Sequence, residues 1–229
     1  MITIKSLYAG YDGNDILREL NWNIRTGSIN GLIGLNGSGK TTLLKCISKL
    51  LPFRKGSVLL YDQPVRRSEI SFLETEPYYY HGITGREYLS LFNSGTVIFK
   101  EDEWAELLHL PLNLLVDEYS TGMKKKLSLL MIIKLNRSII LLDEPFNGLD
   151  LESSRILSMV LKQMISPAKV IIITSHIIGS LSELCSDIHF LSDGFISRTF
   201  TGETALEIEK TVFQDFDDKL NKRITELLS

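Results

Sequence analysis

The sequence predicts an α/β fold: a mostly parallel sheet with helices against it, an antiparallel β element at the start, and a helical subdomain between two core strands. Three observations predict it. The apolar run Ile29–Ile33 passes through the glycine-rich segment Gly34-Leu35-Asn36-Gly37-Ser38-Gly39-Lys40-Thr41-Thr42 into a helical pattern with apolar residues at 43, 44, 47, 50 and 51. Ser138–Leu142 and Lys169–Thr174 are short, nearly continuous apolar runs, as strands buried on both faces require. Residues 84–135 carry helical spacing instead of alternation.

Taken in order, residues 2–7 and 16–24 alternate in a β-like way around the turn Asp12-Gly13-Asn14-Asp15, which gives the antiparallel element. Tyr11, at the edge of that turn, can pack on the turn or offer its ring face to an adenine. Gly56–Tyr61 and Ile70–Leu73 read as strands, and the second ends at Glu74-Thr75-Glu76-Pro77, where proline stops regular pairing. Three adjacent tyrosines, Tyr78 to Tyr80, cannot all point inward, so at least one faces solvent or a partner. Thr84-Gly85-Arg86-Glu87 has the form of a capping box at the start of a helix. Glu103–Leu110 reads as a second helix closed by Pro111, with Asn93-Ser94-Gly95 in the stretch between. Ser120-Thr121-Gly122-Met123 opens a third helix from about Lys124 to Leu135, with Lys124 to Lys126 read as a solvated face. Leu151–Ile165 is a helix; Ile188–Leu191 and Phe195–Phe200 form a hairpin around Asp193-Gly194. Residues 203–229 follow an amphipathic helical pattern through Ile208, Val212, Phe216, Leu220, Ile224 and Leu228, a tail packing on the core or on a partner.

The chemistry concentrates at strand ends. A strand, a glycine-rich loop and a helix together make a P-loop: glycines let successive N–H groups wrap a phosphate, and the helix start adds its positive end. There Lys40 supplies a point charge to the β- and γ-phosphates and Thr41 a hydroxyl for Mg²⁺. Asp143-Glu144 closes a fully apolar strand, and two carboxylates are costly there unless used. The first suits Mg²⁺ and the second can polarise an attacking water. His176 ends the next strand on the same rim and is placed for a phosphate contact; His81, His109 and His189 have no such placement. The formal net charge of −3 gives no support for a nucleic-acid surface, and no apolar stretch approaches a membrane span of roughly 18 residues. Met1–Lys5 lacks the basic start and apolar core of a signal peptide. Cys46 and Cys185, both read in helices, have no metal or disulfide spacing and count as small buried residues of a reducing, cytoplasmic protein.

In this fixed order the elements resemble the ATP-binding cassette (ABC) ATPases over about residues 2–200, a P-loop NTPase core with a helical subdomain. Gly34–Thr42 looks like the P-loop, Tyr119–Met123 the signature motif, Ile139–Glu144 the acidic strand, Asn147–Asp150 the D-loop and His176 the switch histidine. The resemblance implies one ABC domain over 1–229, with a core at about 1–75 and 136–200, a helical subdomain at about 76–135 and a tail at about 201–229. It implies that Tyr11 stacks on adenine and that Asn36, Gly37, Ser38, Gly39, Lys40, Thr41 and Thr42 hold ATP. It further implies that Thr41 and Asp143 hold Mg²⁺, that Glu144 and His176 are catalytic, and that Ser120 and Gly122 reach the nucleotide of a second copy.

Two departures stand out. Thr121 and Met123 replace Gly and Gln of the usual Leu-Ser-Gly-Gly-Gln, a variant similar to cassettes made apart from their exporter membrane subunits; Ile83–Leu89 points the same way. Thr75 falls where the family has a longer glutamine or glutamate at the metal, so Thr75 acting through a water, or Glu74 or Glu76, would stand in. The helical insert is also short for the family. The expectation is an ATP-hydrolysing subunit that pairs with a second copy and serves a separate transmembrane permease on the cytoplasmic face, with export the direction and no nucleic acid bound. Other readings are a soluble ABC protein acting on nucleic acid or ribosomes, and a regulatory cassette with little hydrolysis.

Overall fold

The computed structural model describes residues 1–92 and 98–228, apart from the side chains of 214–222 and 228. Asn93-Ser94-Gly95, and the side chains of Phe216, Leu220 and Leu228 on the tail pattern, therefore lie outside the described residues. The chain runs β1 (Ile2–Tyr11), β2 (Asn14–Ile24), β3 (Ser28–Ile33), α1 (Lys40–Ile47), β4 (Lys55–Leu60), β5 (Gln63–Pro64) and β6 (Ile70–Leu73). It continues through α2 (Gly85–Ser90), α3 (Glu101–Leu107), α4 (Thr121–Leu135), β7 (Ile139–Asp143), α5 (Leu151–Met164) and β8 (Val170–Thr174). The last elements are α6 (Ile178–Ser182), β9 (Asp187–Ser192), β10 (Phe195–Phe200) and α7 (Ala205–Leu228).

Two sheets form the body. The first is antiparallel in the order β2-β1-β4-β5, and the second runs β10-β9-β3-β8-β7-β6, parallel except for β10. The α/β class with an antiparallel element is therefore as the sequence predicts. The partner of β4 could not be read locally: it joins the antiparallel sheet through Ile2↔Leu60 and Ile4↔Val58. Alternate residues of the parallel strands feed two cores. Leu32, Ile139, Leu141, Val170 and Ile172 pack with α1 and the antiparallel sheet. Ile33, Ile140, Leu142, Ile171 and Ile173 pack with α4 and α5 on the other face. Burial on both faces is why β7 and β8 have no polar alternation.

Several elements differ from the sequence reading. Thr84 does cap α2 through its bonds with Glu87, but α3 starts at Glu101 and stops at Leu107, short of Pro111. Helix α4 begins at Thr121, three residues before the expected start, because the Ser120 hydroxyl accepts the Met123 N–H at 3.2 Å and caps it. The lysine run is not a solvated face: Lys125 and Lys126 are buried and only Lys124 is more open. Cys185 lies in the turn after α6, not in a helix; burial pushes its thiol up to about 12, and that of Cys46 likewise to about 12. The tail packs on the core at its start, where Ile208 is buried and Val212 and Phe213 lie against the same cluster.

Candidate functional site

The loop between β3 and α1 brings its glycines to conformations that a side chain resists. Gly37 has φ +79° and Gly39 φ +105°, and a Cβ on Gly39 would sit 2.9 Å from Ile16 and Leu17 side-chain atoms. Helix α1 starts at once, with Lys40 as its first residue. The Lys40 ammonium donates to the carbonyls of Gly34 at 2.8 Å and Leu35 at 3.3 Å, and burial lowers its pKa. The Ser38 hydroxyl is buried in the loop without a hydrogen-bond partner.

Opposite the loop, β7 ends in Asp143, which is 1% exposed, and Glu144, which is 6% exposed. Asp143 Oδ2 accepts the hydroxyls of Thr41 at 2.7 Å and Thr75 at 2.9 Å, while Oδ1 accepts the Thr174 hydroxyl at 2.6 Å. The Thr174 oxygen in turn accepts the Glu144 N–H at 2.9 Å. Glu144 is held at φ +50°, a left-handed conformation that costs a side-chain-bearing residue about 1–3 kcal/mol and clusters at functional positions. His176 faces it: the His176 N–H donates to Glu144 Oε2 at 3.4 Å, and Nε2 lies 3.2 Å from Oε1. Burial raises the Glu144 pKa, opposed by His176 and Lys40 and helped by Asp143.

One cavity of about 300 Å³ is lined by Ile16, Asn36, Gly37, the run from Gly39 to Thr42, Thr75, Asp143, Glu144, Asn147 and His176. It fits a triphosphate in its donors: the Lys40 ammonium, the loop N–H groups and the Thr41 and Thr42 hydroxyls. Among the described residues no group of three or more His, Cys, Asp or Glu converges to hold a metal. A cation here would take Asp143, the Thr41 hydroxyl and phosphate oxygens, the hard-oxygen manner of Mg²⁺.

Other expected residues lie elsewhere. Tyr11 is exposed, pairs in register with Asn14, and lines none of the three cavities that border the loop. Ser120 and Gly122 do not line the chain's own phosphate cavity. Gly122 backs on the segment after β7 so closely that a Cβ would stand 3.0 Å from the Gly148 carbonyl oxygen. Asp150 caps α5 through the Ser153 N–H at 2.8 Å and pairs with Lys126 of α4 at 3.0 Å, tying these two segments together. Of the three residues expected near a metal, Thr75 reaches Asp143 directly, whereas Glu74 turns to Lys45 at 3.6 Å and Glu76 is exposed. His189 is buried, bonded to Thr199 Oγ1 at 2.9 Å, and burial pushes it down to about 4. Thr174 escaped the sequence reading as a site residue because it stands in no motif; its one available signal was its place at the end of β8.

A family model described as ABC transporter matches residues 17–147. The ABC transporter ATP-binding protein YtrB of Bacillus subtilis is 28% identical over 99% of this chain and 80% of its own length. The lantibiotic transport ATP-binding protein SrtF of Streptococcus pyogenes is 28% identical over 90% of this chain and 94% of its own. Among solved structures, an ATP-binding subunit of an ABC transporter matches over 100% of both chains with a TM-score of 0.80 at 22% identity. A dimeric ATP-binding cassette in a post-hydrolysis state, bound to ADP and Pi, matches over 89% of this chain and 99% of its own with a TM-score of 0.76 and 22% identity. At that identity the two structures speak for the fold.

Proposed function

The chain belongs to the ABC transporter family, and from that premise we propose that it is the Mg²⁺-dependent ATP-hydrolysing subunit of a transporter. Two copies would close over two nucleotides and part after hydrolysis. The observation that carries the reading is the division of the site. Lys40, Thr41, Asp143, Glu144 and His176 meet at one cavity, whereas Ser120 and Gly122 stand outside it, which supports a second copy as the one that brings them.

The roles follow from the contacts. Lys40 would exchange the Gly34 and Leu35 carbonyls for phosphate oxygens, and the loop N–H groups would hold the remaining charge. Thr41 and Asp143, with Thr75 at the edge, would hold Mg²⁺, which when bound neutralises charge on the phosphates. Glu144 is the general base that orients water: burial makes it a stronger base than an ordinary carboxylate. His176 fixes its carboxylate and offers the other nitrogen-bearing edge of its ring to phosphate. Tyr11 would stack on adenine once nucleotide lies along the loop.

Among the described residues no helix is long and apolar enough to cross a membrane. We therefore assign the pore to a separate permease, with this chain peripheral on its cytoplasmic side. Tyr78 and Tyr80, exposed and edge-to-face at 5.3 Å beside Thr75, suit a docking surface for it. Export is taken as the direction from the signature variant at Tyr119–Met123 and from Ile83–Leu89. Thr75, shorter than the residue expected there, favours a second reading with slow turnover, which a steady-state ATPase assay decides. The main test is Glu144→Gln. It should bind ATP, stay paired and hydrolyse about 10²–10⁴-fold more slowly. A monomer under saturating Mg·ATP, or undiminished turnover, would sink the reading.

A further inference from the structure

Two cavities share walls at the phosphate loop. Asn36 and His176 line the phosphate cavity, and both also line a second cavity of about 230 Å³. That second cavity is closed by Leu35 on the loop, by Ile178 just after His176, and by Val212 and Phe213 of the tail helix α7. Among the described residues no lysine or arginine lines it, so it offers nothing to hold a phosphate. Its place is behind the loop and the histidine, and the tail is its far wall.

Local sequence brings the tail there. Thr204 and Glu207 fix the start of α7 reciprocally: the Thr204 N–H donates to Glu207 Oε2 at 2.8 Å, and the Glu207 N–H donates to Thr204 Oγ1 at 3.4 Å. One residue on, Ile208 is 1% exposed. Val212 follows four residues later on the same face, and it packs with Phe213 against the cluster that holds Ile33 and Ile178. Helix α7 also packs on α6, which begins at Ile178, two residues past His176. His176 needs such backing. Its side chain is half exposed, its Nε2 lies 3.2 Å from Glu144 Oε1, and its N–H reaches Glu144 Oε2 only at 3.4 Å. A close-packed neighbour behind it limits how far the ring can withdraw from the carboxylate.

We propose that Val212 and Phe213 are positioning residues for hydrolysis: standing across the second cavity from the phosphate loop and His176, they set how closely His176 approaches Glu144. The role rests on the hydrolytic reading above and extends it to the tail, which no motif of the site includes. A shift of α7 is thereby felt at the histidine, because the two border one cavity.

The test uses the full chain and its Phe213→Ala, Val212→Ala, Phe213→Leu and Ile208→Ala variants, with Phe213→Ala made in a His176→Ala background as well. Steady-state and single-turnover ATP hydrolysis are measured, with urea unfolding to identify conditions in which each variant is folded. Phe213→Ala and Val212→Ala should lose about fivefold or more in kcat with KM for ATP within about threefold, while Phe213→Leu, which keeps apolar bulk, stays within about twofold of wild type. Ile208→Ala should lower the urea midpoint yet keep kcat within about twofold, because Ile208 lines neither cavity. In the His176→Ala background, Phe213→Ala should cost less than about twofold more, since the group it positions is gone. Should Phe213→Ala not fold, Val212→Ala, the smaller truncation, carries the same comparisons. The role is overturned if the alanine variants turn over within about twofold of wild type, if Ile208→Ala is as slow as they are, or if their fold-loss is the same without His176. A wild-type chain that hydrolyses no ATP overturns the hydrolytic reading and this role with it. A hydrolysing wild type matched by Phe213→Ala and Val212→Ala overturns this role alone.

Discussion

Thr174→Val is the sharpest probe of how the acidic pair is held. Thr174 is fully buried, and its hydroxyl donates to Asp143 Oδ1 at 2.6 Å while accepting the Glu144 N–H at 2.9 Å. Valine keeps the shape and removes both bonds. A hydrogen bond to a charged group contributes about 1.5–3 kcal/mol, and a stranded buried N–H costs about 1–3 kcal/mol. Asp143 retains the Thr41 and Thr75 hydroxyls on its other oxygen, so the combined loss is nearer the low end of the sum, about 3 kcal/mol. With a urea m-value of about 3 kcal/mol/M for a chain of this length, the midpoint should fall by about 1 M. The same substitution frees Glu144 from the bond that fixes its φ of +50°, so turnover should drop about 10–100-fold, the usual cost of losing a supporting contact behind a catalytic ligand. Urea unfolding followed by circular dichroism and a coupled ATPase assay read both numbers. Thr174→Ser, which keeps the hydroxyl and loses one methyl, should cost about 1 kcal/mol and leave turnover nearly intact. A valine variant within about 0.5 kcal/mol of wild type would refute the account, because surface substitutions already span that range. Serine as harmful as valine would show that packing, not the hydroxyl, holds the pair.

Two further expectations concern the segments around the cavity. Asp150 is held well below the usual carboxylate range, first by the Ser153 N–H and then by Lys126, so its stabilisation is full above the unfolded carboxyl value of ~3.9 and is lost as pH falls through and below it. The gap in melting temperature between wild type and Asp150→Ala should therefore be widest near neutral pH and close toward pH 2; a gap that ignores pH would assign Asp150 no ionic role. Tyr11→Ala should weaken ATP binding by about 1–3 kcal/mol of lost stacking, roughly fivefold or more, while Tyr11→Phe keeps the ring and stays within about twofold. Equal affinity for Tyr11→Ala, measured by titration calorimetry, would return the ring to turn packing.

What could be read from the sequence follows the range of the forces involved. The β3–loop–α1 unit, β7 and β8 were legible because apolar runs punctuated by glycine, proline or acids are local signals. The pairing of β4 with β1 was not, since partner choice rests on contacts some fifty residues apart in the chain. Helix α6 has five residues, too few to show a period. Helix α4 misled for a subtler reason. It is buried at every position from Lys125 to Ile132, so it has no polar face whose spacing could be read, and its three lysines look like solvent by composition alone. The tail shows the limit of a four-residue step. Each step advances the pattern about 40° around a helix, so the sixteen residues from Ile208 to Ile224 turn it by about 160°. Ile208 is buried and Ile224 is exposed, so the pattern marks only the start of the tail as core-facing.

The same reasoning explains why the acidic strand end, and not the loop alone, is the point on which the site turns. One carboxylate, Asp143, receives hydroxyls from the start of α1, from the segment after β6 and from the end of β8. Each hydroxyl belongs to a different crossover of the parallel sheet, and parallel strands necessarily deliver their carboxyl ends to one rim. Three elements distant in sequence are thereby fixed by a single anion, which an apolar residue at 143 could not do. The oxygens of Thr41 and Asp143 that meet there are also those a hard cation accepts. Ordering the fold and preparing the proposed metal site are thus one arrangement, and little reorganisation separates them. Glu144 gains its raised basicity from that same burial. A substitution at Thr41, Thr75 or Thr174 should therefore perturb stability and turnover together, whereas Ser120→Ala, outside the cavity, should cost only the cap of α4, about 0.5–2 kcal/mol, and otherwise strike the step proposed to need a second copy.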